Sequence, residues 1–359
     1  MTWRVSGDRA HDRPLPGPGP VGLCISINIG FAEKTDSWRD RKYLMFSGNL
    51  PRFFLLVAAC LASMASAQNP SAYERLPRDR LDVMPPSERV RGEPGDMQVI
   101  DRSCRQYTGA DIRQRIVDIA SQEWAFFGHS VIDMTIQEEL DRNNGRLPRF
   151  WRTDWMNEDE AYRLADDVAG YWAAAPDSSW IVNKQNQRWR QLGITARWRD
   201  FWSAAFISWV MCESGLGQPE QFQRAIAHHT YIDQAIRARD GLEPAAAYTA
   251  YDIGEQEILP GDMLCRGSRP EYRNLDERRA HMGQGARTHC DVVVELDSAR
   301  QQIKVIGGNV RGSVRMKLLP GAKSEMGHLT PRPYGGRHMF VHLLLKTYQS
   351  SAEDVVAKH

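Results

Sequence analysis

Apolar positions recur at helical spacing through the first part of the chain's folded region and give way to short alternating runs in the second. In "DIRQRIVDIASQEWAFFG", Ile112, Ile116, Ile119, Ala120 and Trp124 share one face, which predicts a helix over about 111–127 with Gly128 at its end. "NEDEAYRLADDVAGYWAAA" predicts another, with Asn157 as cap, acidic residues at the positive end of the helix dipole, and Pro176 as its limit. A further helix covers "WSAAFISWVMCESG" to Gly215, and "PEQFQRAIAHHTYIDQAIRARDG" supplies one more to Gly241. Beyond about residue 258 the runs "PGDMLC", "HCDVVVEL", "QIKVIGGNV", "SVRMKLL" and "HMFVHLLL" read as strands of an antiparallel meander. Helices first and strands after predict an α+β domain over 111–348, a helical layer packed on an antiparallel β-sheet, with a tail at 349–359.

The N-terminal third lacks this patterning. Residues 1–44 read as an upstream extension, with Met45 as the expected start of translation. From Met45, Arg52, the apolar run "FFLLVAACLA" and the small residues Ala65-Ser66-Ala67 form a secretory signal over 45–67, so the mature chain begins at Gln68. A second processing route is written into the same stretch: Val57-Ala58-Ala59-Cys60 resembles the lipobox of bacterial lipoproteins and would leave a lipid on Cys60. A membrane-spanning helix needs roughly twenty apolar residues, twice this run. Residues 68–110, rich in Pro, Arg, Asp and Ser, predict a flexible exported linker.

Charge narrows the partners. In the mature part Lys and Arg nearly balance Asp and Glu, without the basic footprint or motifs of a nucleic-acid binder. Its four cysteines, Cys104, Cys212, Cys265 and Cys290, permit disulfides in an oxidising periplasm. If the "PGDMLC" and "HCDVVV" strands pair, Cys265 and Cys290 face each other. Cys212, nine residues beyond Ser203 on the same helix, falls on the opposite face and cannot share its site.

Three residues carry the candidate chemistry: Ser203 opening a helix, His289 opening a strand and Asn309 ending the next one. A hairpin turning at about 297–300 brings His289 and Asn309 together, so that the amide can orient the ring while its other nitrogen faces a nucleophile. This layout, with "PGD" before a strand, resembles the NlpC-type and CHAP cell-wall peptidases of the papain-like superfamily. More closely, "WSAAFISWVM", "AHHTYI", "PGDMLCR", "THCDVVVEL" and "VIGGNV" together resemble the bacterial domain of unknown function 2272, over roughly residues 112–345. The resemblance implies a papain-like core and hydrolysis of peptidoglycan amide or peptide bonds without a cofactor. Ser203, His289 and Asn309 then stand in the nucleophile, base and orienting positions. Serine replaces the superfamily's cysteine, and a serine hydroxyl, unlike a thiolate, depends on a base during attack. The expected alternative is a pseudoenzyme that binds peptidoglycan peptides or a partner protein.

Plainer roles compete for the same residues. Ser203 and Asp200 are both good helix caps, and Asn309 after Gly307-Gly308 suits a left-handed turn. One of His228 and His229 is expected to pack inward. His338 and His342 are spaced i, i+4 but sit in a strand-like run without the zincin Glu, so no metal site is expected. The tryptophans between Trp124 and Trp209 are assigned mainly to packing.

Overall fold

The apolar face of α1 (Ile112–Phe126) turns Ile116, Ile119 and Ala120 into the core. Asn157 caps α2 (Glu158–Ala174) by accepting a 2.8 Å hydrogen bond from the Glu160 amide. The mostly polar α3 (Ser179–Leu192) was not expected, since only Ile181, Val182 and Trp189 provide buried apolar anchors. Every residue of α4 (Ser203–Glu213) is buried, which suits a helix apolar on all sides and makes it the centre of the helical layer. Trp202 stacks on Tyr171 at the start of α4, and Trp172, Trp202 and Trp209 are fully enclosed. The final long helix, α5 (His228–Arg239), is shorter than its sequence pattern predicts. Residues 219–227 leave the helical path because side chains take over their backbone groups. Gln234 accepts from Gln223 N, and Ser208 accepts from Ala225 N while donating to Ala225 O.

The computed structural model describes residues 73–107, 109–136 and 157–346, all within the compact unit Ser66–His359. The expected upstream extension, signal, Cys60 and C-terminal tail lie outside the described residues. The expected strands form β5 (Met263–Arg269), β6 (Arg287–Asp297), β7 (Gln302–Val310), β8 (Ser313–Lys323) and β10 (Val341–Leu345). They join β3 (Val131–Asp133), β4 (Tyr248–Tyr251) and β9 (Leu329–Pro331) in an eight-stranded sheet of order β3-β8-β7-β6-β5-β10-β4, with β9 on β8. The chain is an α+β protein: β5 to β8 form the antiparallel meander, while β3 adds to β8 in parallel. A short helix α6 (Leu275–Arg279) lies between β5 and β6. One face of the sheet carries α4 and α5. The other holds a smaller core around Leu264, Val293, Val305 and Tyr334.

Residues 73–107 depart from the linker expectation. Their β1 (Val90–Arg91) and β2 (Gln98–Val99) pair with each other, and Val83, Val90 and Met97 are buried. Composition conceals this because the anchors are isolated rather than periodic. Buried Arg89 pairs with Glu213 at the end of α4, and Cys104 forms a disulfide with Cys212. Arg75 reaches Glu123 at 2.6 Å and Asp167 at 2.7 Å. Burial raises the Asp167 carboxyl to about 7 against the opposing charge of Arg75.

A carboxyl raised in the folded state makes folding progressively less favourable as pH climbs from its unfolded value to about 7. Asp167→Asn removes that decline. The Tm of the variant relative to the wild type is therefore expected to rise between pH 5 and pH 8. A constant difference in melting scans would contradict it.

Candidate functional site

Strands β6 and β7 pair up to Val292 opposite Ile306, and beyond that point no further pair forms between them. Two glycines keep this end of β7 thin. A Cβ on Gly307 would fall 1.9 Å from Asp291 Oδ1, and one on Gly308 would fall 2.5 Å from the Phe206 Cβ of α4. Side chains from the helical layer and from the far face of the sheet meet at this opening.

Ser203 is the first residue of α4, yet its hydroxyl does not cap the helix, whose N-terminus has no side-chain cap. The Ser203 Oγ instead lies 2.7 Å from His228 Nε2, at the first turn of α5. Asp200, the other cap candidate, bonds Lys184 at 2.9 Å. The amide of Cys290 reaches the remaining nitrogen of His228, Nδ1, at 3.3 Å, and the hydroxyl of Tyr231 bonds the same atom. A backbone N–H can only donate, so Nδ1 is the unprotonated nitrogen and the neutral ring carries its proton on Nε2. Nε2–H therefore donates to Ser203 Oγ. Burial, reinforced by neighbouring His289, pushes the His228 pKa well below the usual histidine range and keeps the ring neutral.

His289 lies against His228, with ring centroids 5.2 Å apart in an edge-on contact. Its Nε2 donates to Asp291 Oδ1 at 3.0 Å, which leaves Nδ1 as the lone-pair nitrogen. Lys317 bonds the other oxygen of Asp291. Burial alone would raise the Asp291 carboxyl, but the Lys317 ammonium and then His289 outweigh it and hold the group well below the ordinary range. Burial also lowers His289, to about 4, despite the opposing pull of Asp291. At neutral pH the site thus contains two neutral imidazoles, a carboxylate and an ammonium.

The three residues singled out from the sequence are distributed differently from the expected triad. Ser203 and His289 both border the opening, but the hydroxyl bonds His228, and the carboxylate of Asp291 holds the Nε2 of His289. Asn309 sits at a register shift of the β7–β8 pairing with φ of 54°, a left-handed conformation that asparagine tolerates. Sequence reasoning missed Asp291, although the i, i+2 spacing of "HCD" places it on the same strand face as His289. His228 lies 25 residues from Ser203, and the contact between them follows from the packing of two helices. Cys290, between His289 and Asp291, is joined to Cys265. The facing pair expected from the strands is thus present as a disulfide.

His338 and His342 diverge, His338 Nε2 bonding Tyr272 O at 2.7 Å and His342 Nε2 bonding Asp262 at 2.8 Å. Among the described residues no group of three metal-ligating side chains is placed to hold an ion.

The opening and its residues lie within a recognisable segment. Residues 159–334 match the family model described as an uncharacterized protein conserved in bacteria, DUF2272. No curated protein and no solved structure matches the chain. The DUF2272 match includes Ser203, His228, His289, Asp291 and Lys317, and it ends before β10. Residues 73–107, which brace the far end of α4, lie outside it.

Proposed function

We propose that this chain is an exported hydrolase of amide or peptide bonds in the cell envelope, with peptidoglycan peptides as substrate. One observation carries the reading: a buried serine hydroxyl at the start of a helix is held by one neutral imidazole beside a second that is aligned by a carboxylate. Ser203 attacks the carbonyl carbon, and Nδ1 of His289 takes the hydroxyl proton and returns it to the leaving amine. Asp291 fills the orienting role expected of Asn309, while His228 donates to the serine oxygen. Uncapped amides of α4 are suited to stabilising the oxyanion. A nucleophile-bearing helix set against an antiparallel meander supports kinship with the NlpC-type, CHAP and wider papain-like peptidases.

The two disulfides support export to an oxidising compartment. The processing step is either cleavage after Ala67 or lipidation of Cys60. A second reading, peptide binding without turnover, is favoured by the bond of Ser203 to a protonated nitrogen of His228 rather than to His289.

The test is mass spectrometry of purified peptidoglycan incubated with the mature protein. The hydrolase reading expects new fragments that are absent with Ser203→Ala. Retention on peptidoglycan without any fragments would transfer the conclusion to the binding reading.

A further inference from the structure

The face of the sheet opposite α4 carries an arginine, Arg266, that forms no ion pair among the described residues. Arg266 on β5 is directly opposite His289 on β6, with Leu264 opposite Asp291, so Arg266, His289 and Asp291 share this face. Nearby, Tyr334 and Arg337 bridge a tight turn through Gly335 and Gly336, whose φ angles of 57° and 65° suit glycine. The ring of Tyr334 is buried in the same small core as Leu264 and Val293, which fixes this turn over the face holding Arg266.

Several arginines elsewhere that are partly or fully withdrawn from water have acids, while others, such as Arg115, are satisfied by backbone carbonyls. Arg75, Arg89, Arg113, Arg239 and Arg278 each pair with a carboxylate. Arg266 and Arg337 form no ion pair among the described residues. The one carboxylate buried beside them, Asp291, is already taken by Lys317 and His289. Partial shielding of its guanidinium from water lowers Arg337, although the residue lies on an exposed turn, and the charge of Arg266 lowers it further, so the two cations act on each other. Like charges that act on each other are unfavourable, and an anion between them would offset the repulsion.

We propose that Arg266 and Arg337 seat a carboxylate of the substrate peptide beside His289, so that the cleft selects peptides with an acidic group near the bond presented to Ser203. Guanidinium forks match a planar carboxylate in two-point contact, whereas an amide in its place would lose the charge-assisted bonds. The proposal names the substrate class of the same cleft and rests on that cleft being the peptide site.

Calorimetric titration of the mature Ser203→Ala protein isolates binding from turnover. The probes are acetyl-Ala-Glu with free carboxylates, its diamide and inorganic phosphate. The diacid is expected to bind about tenfold or more tightly than the diamide, and Arg266→Gln or Arg337→Gln to remove about tenfold. Arg266→Lys, which keeps the charge and loses the fork, should fall between. Arg337 is exposed, so its replacement separates loss of binding from loss of folding. Equal affinity for diacid and diamide, or affinity unchanged in both glutamine variants, would overturn the proposal. So would arginine-dependent binding of phosphate without binding of the diacid. Failure to release peptidoglycan fragments while this binding persists would remove the hydrolase reading alone.

Discussion

Under the proposed hydrolysis, Ser203→Ala is expected to lower turnover by about 10⁴-fold or more, and His289→Ala by a similar factor, because a nucleophile and its base act as one unit. Combining them should add little to either loss. His228→Gln retains an N–H donor toward the serine and is expected to cost far less, which separates an imidazole that donates from one that accepts a proton. The pH profile offers an independent check. With burial holding His289 at about 4, the base stays unprotonated across the neutral range. The acid limb of kcat/KM should therefore fall as pH drops through about 4, with a flat region from pH 5.5 to 7.5. A limb near 6.5, or His228→Gln as inactive as His289→Ala, would contradict these roles.

Asp291→Ala should be the most destabilising single change at the site, costing about 3–5 kcal/mol. The carboxylate is completely enclosed and compensates Lys317, itself buried, while bonding His289. Removing it strands an ammonium in a poorly solvating interior. For a domain of this size the loss corresponds to a fall in Tm of roughly 10 °C. Replacing Lys317 as well, in Asp291→Ala/Lys317→Met, eliminates the stranded charge and should recover part of the drop, a coupling that a double-mutant cycle reads directly. Thermal scans in which the two losses simply add would show that the pair is not the source of the effect.

The meander was legible because alternating apolar residues report strands and because turns separate them. Ser203 and His289 stood out through their positions at element starts. What the pattern did not reveal depended on tertiary contacts. Lys317 in "SVRMKLL" reads as a solvent-facing position, but the face it occupies is covered, and its partner lies two strands away on β6. His228 reads as mid-helix until Ser208 and Gln234 capture the preceding backbone and make it the helix start. Residues 73–107 read as linker because a few separate anchors, Val83, Arg89 and Met97, do the work that a periodic stripe does elsewhere.

The bond between Cys104 and Cys212 encloses 108 residues of sequence separation, including α1, α2 and α3. A single backbone cut anywhere within that loop leaves the pieces as one molecule until the sulfurs are reduced. A protease could thus nick the chain between these cysteines without detaching residues 73–104 from the helix that begins at Ser203. On a non-reducing gel the nicked protein would retain the mass of an uncut one.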